Sequence, residues 1–75
     1  MAKLTPQACK AARALLGWGV RDLAREADVG VATVARYEAG DQMRPDTIEK
    51  LKAAFEAAGV EITNGRGTGA RLLHG

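Results

Sequence analysis

The sequence predicts an all-α fold, a compact bundle of four to five short helices with a C-terminal β-hairpin or extended tail. Apolar residues recur at helical spacing within residues 6–58, which is the pattern of amphipathic helices. Val60 and Ile62 then alternate with polar residues, which is the period of a half-buried strand. Glycine commonly ends a helix, and glycines follow three of the helical segments, at positions 17, 40 and 59.

The length predicts one domain. A chain of 75 residues is near the lower limit for a self-sufficient core, and such chains often bury more apolar surface against a second subunit. We expect residues 1–59 to form the helical domain and residues 60–75 to form a tail that serves in dimerisation.

The charge balance is mildly basic. Lys and Arg total 11 against 9 Asp and Glu, which gives a net charge of +2. Seven basic and five acidic residues lie in residues 1–45, and four of each lie in residues 46–75. The excess favours an anionic partner, although a solvated surface of mixed charge would have the same composition.

The single cysteine, Cys9, cannot form an internal disulfide, which suits a reducing compartment. No apolar run approaches a membrane span, and no signal peptide is visible. We therefore expect a cytoplasmic protein with no membrane partner. The sequence contains one cysteine, Cys9, and one histidine, His74, and it shows neither a cluster of metal ligands nor a set of acid/base residues. We therefore expect that the protein is not an enzyme and has no catalytic residue. We also expect no metal, no cofactor and no small-molecule ligand.

The first helix is expected over Pro6–Leu16. Thr5 can cap it, and proline suits the first helical position. Trp18 follows in the link to the second helix, where it either covers the edge of the core or stacks on nucleic acid. The apolar side of this helix is expected to comprise Ala8, Ala12, Leu15 and Leu16.

Residues 20–40 predict two short helices joined by a tight turn. The first helix is Val20 to Ala27, the turn is residues 28–30, and the second helix runs from Val31 to Ala39. The outward side of the second helix is short and narrow enough to enter a DNA major groove. It comprises Val31, Ala32, Thr33, Ala35 and Arg36.

The fourth helix is expected to run to Ala58, with Asp46 as its N-cap and Glu49 completing a capping box. The tail then has a turn signal at Asn64-Gly65, and Ala70 to Leu73 can return as a second strand. A disordered tail is the competing interpretation. The glycines of residues 65–69 lack the Lys-Ser/Thr pair of a phosphate-binding P-loop.

Residues 4–60 resemble the Cro/C1-type (XRE family) helix-turn-helix domain of phage repressors and bacterial regulators. The residues that carry the resemblance are Ala12-Arg13, Leu16-Gly17-Trp18, residues 23–27, Val29, Thr33-Val34, residues 36–38, Gly40, Pro45, Thr47-Ile48 and Leu51. The resemblance implies a lambda-repressor-like bundle of five helices, of which four are clear here. It also implies sequence-specific binding of double-stranded DNA, usually as a homodimer on a palindromic operator, to regulate transcription.

On the family pattern, the base-edge contacts fall to Val31, Ala32, Thr33 and Arg36. Arg36 is the strongest candidate because its guanidinium can donate two hydrogen bonds to guanine, although a solvated surface arginine is the alternative. The expected phosphate contacts are backbone amides near Val20 and the side chains of Arg21, Thr33, Gln42 and Arg44. The sequence departs from many members at Gly19, Val20 and Gly30, which lack the hydroxyl and amide side chains that assist these contacts.

The resemblance implies that the helix beginning at Gly30-Val31 is the recognition helix. Arg13 and Glu38 match an ion pair that the family uses between the first helix and the end of that helix. The dimer surface is expected on the fourth helix and the tail, with Val60, Ile62 and Leu72 as contacts. A different function remains open, in which the chain is an antitoxin-like module that binds a protein partner.

Overall fold

The computed structural model describes residues 4–64 and 68–72. The described chain forms four helices followed by a two-stranded antiparallel hairpin, which confirms the predicted all-α bundle with its C-terminal hairpin. The elements are α1 (Pro6–Leu16), α2 (Val20–Ala27), α3 (Val31–Glu38), α4 (Pro45–Ala57), β1 (Val60–Asn64) and β2 (Thr68–Leu72).

The start of α1 is fixed by its capping residues. The Thr5 hydroxyl accepts a hydrogen bond from the Ala8 amide at 3.1 Å, and Pro6 occupies the first helical position. The helix ends at Gly17, whose φ of 68° lies in the left-handed region that glycine adopts without steric cost. Both ends therefore follow from the residue types that the sequence places there.

The core lies between the four helices and the inner side of the hairpin. Trp18, which follows α1, stacks on Phe55 of α4 with ring centroids 5.9 Å apart. This contact places Trp18 against the edge of the core, one of the two roles considered from the sequence. The fully buried side chains of largest volume are Phe55, Leu23, Leu51, Val34, Val60 and Cys9.

The turn between α2 and α3 is tight because Asp28 adopts a left-handed conformation, with φ 57°. Aspartate tolerates this region better than most non-glycine residues. The Val29 amide donates to the Ala24 carbonyl at 3.0 Å, and the Val29 side chain packs against the core. The turn thus holds α3 against α2 in the arrangement predicted for residues 20–40.

Two details of the helices differ from the sequence expectations. Leu15 was expected on the apolar side of α1 but is 41% exposed, whereas Cys9, expected to be a small core or boundary residue, is buried. Asp46 does not cap α4, because the N-cap is Arg44 and Pro45 is the first helical residue. The Asp46 carboxylate lies in the first turn, where it still interacts favourably with the helix dipole. The capping box expected with Glu49 is therefore not formed.

The hairpin packs on the helices, with β1 against α1 and α4 and β2 against α1. In its register Val60 pairs with Leu72 and Ile62 pairs with Ala70. Val60 and Ile62 are 0% and 5% exposed, so they belong to the core of their own chain and cannot serve as direct dimer contacts. Leu72 is 39% exposed and remains accessible. Residues 65–67 and 73–75, which include part of the expected turn, lie outside the described residues.

Candidate nucleic-acid interface

The side of α3 that faces away from the core carries the residues expected to contact bases. Val31 is 42% exposed, Ala32 and Arg36 are exposed, and Thr33 is half-buried. The opposite side of α3 is buried through Val34, Tyr37 and Glu38. α3 therefore has one side attached to the core and one free side. Since the major groove of B-DNA admits one α-helix, the free side has a size that fits that groove.

A bidentate ion pair connects the end of α3 to α1. Nε and Nη2 of Arg13 donate to the two carboxylate oxygens of Glu38, each at 2.7 Å. Nη1 of Arg13 donates to the Trp18 carbonyl at 3.0 Å. The pair expected from the sequence is thus formed, and Arg13 also holds the link between α1 and α2.

Cys9 is a third member of this cluster, which the sequence did not indicate. Its thiol donates to Oε2 of Glu38 at 3.1 Å. Burial, followed by the hydrogen bond to Glu38 and its negative charge, raises the pKa of Cys9 well above the ordinary value. The thiol therefore stays protonated and serves as a hydrogen-bond donor, because a nucleophile would need the thiolate.

Burial of Glu38 opposes its ionisation, but hydrogen bonds from Arg13 and Cys9 and the charge of Arg13 outweigh that effect. The result is a pKa of Glu38 below the ordinary value of 4.5. The hydrogen bond with Glu38 raises the pKa of Arg13, so both partners are ionised over the physiological range. A second hydrogen bond connects α3 to the segment before α1, since the Tyr37 hydroxyl donates to the Leu4 carbonyl at 3.0 Å.

Arg36 does not extend freely into solvent. Its Nε lies 3.2 Å from Oδ2 of Asp41, although both side chains are largely exposed. The sequence analysis missed Asp41, and the available signal was the glycine at position 40, which permits the chain to turn back towards α3. Arg36 and Asp41 thus form one exposed unit at the end of the free side of α3.

The expected phosphate-contacting residues are distributed over α2 and the segment before α4. Arg21 and Gln42 are exposed, whereas Val20 is half-buried and packs against the core. Val20 can therefore contribute only its backbone amide, as expected. Arg44 is 85% exposed, and its Nε lies 3.4 Å from Oδ1 of Asp46. The side chains of Arg21, Gln42 and Arg44 are therefore accessible to solvent.

Asp22 is a second residue that the sequence analysis did not single out. Its Oδ2 accepts a hydrogen bond from the Gly19 amide at 2.8 Å, and its Oδ1 lies 3.2 Å from Nη2 of Arg25. A carboxylate at the start of α2 interacts favourably with the helix dipole. A DNA phosphate that binds the same helix end would lie close to this negative charge. The Asp22–Arg25 pair leaves the start of α2 less positive than a helix N-terminus with no acidic side chain.

Within residues 4–64 and 68–72, no group of three or more His, Cys, Asp or Glu side chains is arranged to hold a metal ion. None of the helices over the same residues is long and apolar enough to cross a membrane.

Replacement of Arg13 tests the tie between α1 and α3. Arg13→Ala leaves the 7%-exposed carboxylate of Glu38 without its counter-charge. We expect a loss of about 3 kcal/mol, the lower end for breaking a buried pair because Arg13 is itself partly exposed. Arg21→Ala is the matched control, since Arg21 is an exposed helical arginine. Urea unfolding followed by circular dichroism measures both, and equal midpoints would contradict the proposed tie.

The lowered pKa of Glu38 predicts a pH dependence of stability. Since the folded-state pKa lies below 4.5, the contribution of Glu38 is fully present above about pH 4.5 and is lost as the pH falls through the folded-state pKa. Glu38→Gln removes this titration and leaves the other carboxylates in place. The stability difference between wild type and Glu38→Gln should therefore be larger at about pH 7 than at about pH 3. A difference that stays constant in urea unfolding would show that Glu38 does not titrate as proposed.

Comparison with known proteins agrees with this geometry. No curated protein matches the chain. A family model described as helix-turn-helix matches residues 10–63, more than half of the chain, and spans the whole of α2, α3 and α4. The chain therefore belongs to the Cro/C1-type (XRE) helix-turn-helix family and is a DNA-binding regulator.

Proposed function

We propose that this protein binds a palindromic operator as a homodimer, inserts α3 into the major groove of each half-site and thereby regulates transcription. The observation that carries the proposal is the division of α3 into two sides. Glu38 and Tyr37 are tied to the body of the protein, while Val31, Ala32 and Arg36 are exposed. A helix held in this way can present its free side to base edges in a fixed orientation.

Arg36 is proposed to read guanine. An arginine guanidinium donates two hydrogen bonds to O6 and N7 of that base, the commonest specific contact in the major groove. Val31 and Ala32 offer apolar contact to thymine methyl groups, and the half-buried Thr33 can contact a base or a phosphate. Because only one long polar side chain faces outward from α3, DNA shape contributes to the selection of the site.

The phosphate contacts are proposed at backbone amides near Val20 and at the side chains of Arg21, Gln42 and Arg44. The N-cap of α2 is Gly19, which has no side chain to accept from the amides that follow it. Asp22 engages only the Gly19 amide, so the next amides of α2 can donate to a phosphate oxygen. Among the ion pairs of the described residues, none involves Arg21. Such contacts position the protein on DNA without selecting a sequence.

The homodimer is proposed to form through the tail, with Leu72 as an exposed contact on β2. A two-fold dimer would place its two α3 helices about 10 bp apart, or a multiple of that, on one face of the DNA. The second subunit would also cover apolar surface that a chain of 75 residues leaves exposed.

The base-reading role of Arg36 predicts a loss of sequence preference. Wild type and Arg36→Ala would each select binding sites from a randomised duplex library, and the enriched sites would be measured by fluorescence anisotropy. Wild type should enrich a palindrome that contains a guanine, and Arg36→Ala should lower the preference for that guanine by about 1–3 kcal/mol.

Arg44→Ala is the matched control for Arg36→Ala. A phosphate contact should weaken binding about equally for all sequences and lower the slope of log affinity against log salt by about 1. The proposal fails if wild type enriches no sequence, or if Arg36→Ala and Arg44→Ala lower the guanine preference equally.

If the dimer forms through β2, a charged residue at position 72 should lower the molecular mass of the protein in solution. Leu72→Lys places a charge in the proposed contact, and sedimentation equilibrium should then show a monomer where wild type shows a dimer. Val31→Lys alters an equally exposed apolar residue on α3 and should leave the dimer intact. A dimer that persists in Leu72→Lys would move the interface away from β2.

A further inference from the structure

The ion pair between Arg36 and Asp41 lies at the proposed base-reading position. Nε of Arg36 is 3.2 Å from Oδ2 of Asp41, and the two side chains are 71% and 53% exposed. An exposed pair of this kind adds little to folding stability. Its consequence lies in where it holds the guanidinium group of Arg36.

The backbone brings Asp41 back to Arg36. The Asp41 amide donates to the Arg36 carbonyl at 3.0 Å, and the Gly40 amide donates to the Tyr37 carbonyl at 3.0 Å. Gly40 adopts φ 106°, and a Cβ there would meet no atom within 4 Å. The conformation, rather than lack of space, therefore favours glycine at this position. Asp41 is thus fixed through its own main chain beside the residue it pairs with.

The pairing determines which donors of Arg36 remain available. Guanidinium carries five N–H groups, and Asp41 engages the one on Nε. The donors on Nη1 and Nη2 at the end of the side chain remain to meet O6 and N7 of a guanine. The carboxylate also restricts rotation of the side chain, so less conformational entropy is lost when the guanine contact forms.

The negative charge of Asp41 has a second effect. A carboxylate near the DNA surface is repelled by phosphates, and it partly neutralises the charge of Arg36 in any complex that lacks the guanine contact. Binding to arbitrary DNA depends mainly on such charges. A carboxylate at this place is expected to weaken non-specific binding and so to widen the difference between the operator and other DNA.

We propose that Asp41 is a positioning residue that presents the Nη1/Nη2 end of Arg36 to guanine and lowers the affinity for non-specific DNA. This inference rests on the proposed function, because it requires that Arg36 reads a base.

The chain supplies a matched control in Arg44 and Asp46. Nε of Arg44 lies 3.4 Å from Oδ1 of Asp46, and both side chains are exposed. Asp46→Ala removes the same charge from a similar pair at a proposed phosphate contact. It should raise non-specific affinity as Asp41→Ala does, but it should leave the base preference unchanged.

The experiment uses the sites that wild type selects from the randomised duplex library. For wild type, Arg36→Ala, Asp41→Ala, Asp41→Asn and Asp46→Ala, affinity is measured for the selected duplex, for the same duplex with the guanine pair replaced, and for a scrambled duplex. Thermal unfolding followed by circular dichroism confirms that each variant is folded.

Asp41→Ala should lower the guanine preference at least about fivefold, a substantial part of what one bidentate contact contributes, while binding to the scrambled duplex becomes tighter. Asp41→Asn keeps an oxygen that accepts from Nε but removes the charge. It should therefore keep more of the guanine preference than Asp41→Ala and should bind the scrambled duplex as tightly as Asp41→Ala does.

The inference is overturned if Asp41→Ala lowers the guanine preference by less than about fivefold, or if Asp46→Ala lowers it equally. If the guanine preference of wild type depends on Arg36 but not on Asp41, this inference is overturned and the proposed function still holds. A wild type without any sequence preference overturns both.

Discussion

The contact of Glu38 with Arg13 and Cys9 is the constraint on which the orientation of α3 depends. A helix of eight residues is too short to be stable alone in water, so its direction must come from tertiary contacts. The ion pair fixes the last turn of α3 to α1, and the third nitrogen of Arg13 holds the Trp18 carbonyl in the link to α2. One arginine therefore connects three elements around the helix that faces outward.

An ionic tie differs from apolar packing in what it specifies. Apolar side chains accept a range of rotations with little change in buried area, whereas a carboxylate that receives two hydrogen bonds from one guanidinium accepts only a narrow range of geometries. The cost of burying the Glu38 carboxylate is offset by its three donors, two on Arg13 and one on Cys9. We infer that this arrangement serves mainly to hold α3 in a single orientation, since well-packed apolar residues can give comparable stability.

The sequence predicted the elements better than the details of their packing. Caps, glycine stops and apolar periodicity are local signals, and they located α1, the two-helix segment and the hairpin. The exposure of Leu15 depends on how α1 meets α3 and β2, which no local pattern records. The inward placement of Val60 and Ile62 depends likewise on the docking of the hairpin against α1 and α4. Asp41 was missed because its pairing requires a left-handed turn at Gly40, which places residues five apart side by side.

The surface around α3 is less basic than its arginines suggest. Arg36 and Arg44 each have an aspartate partner close by, and the start of α2 carries the Asp22 carboxylate. Non-specific affinity for DNA grows with the number of phosphates that a protein neutralises, so we infer that these aspartates hold that affinity down. A chain with a net charge of only +2 then gains most from contacts that depend on geometry. In the proposed function, the rigid attachment of α3 and the paired state of Arg36 serve the same end, because both would make the binding energy depend on whether the correct base is in place.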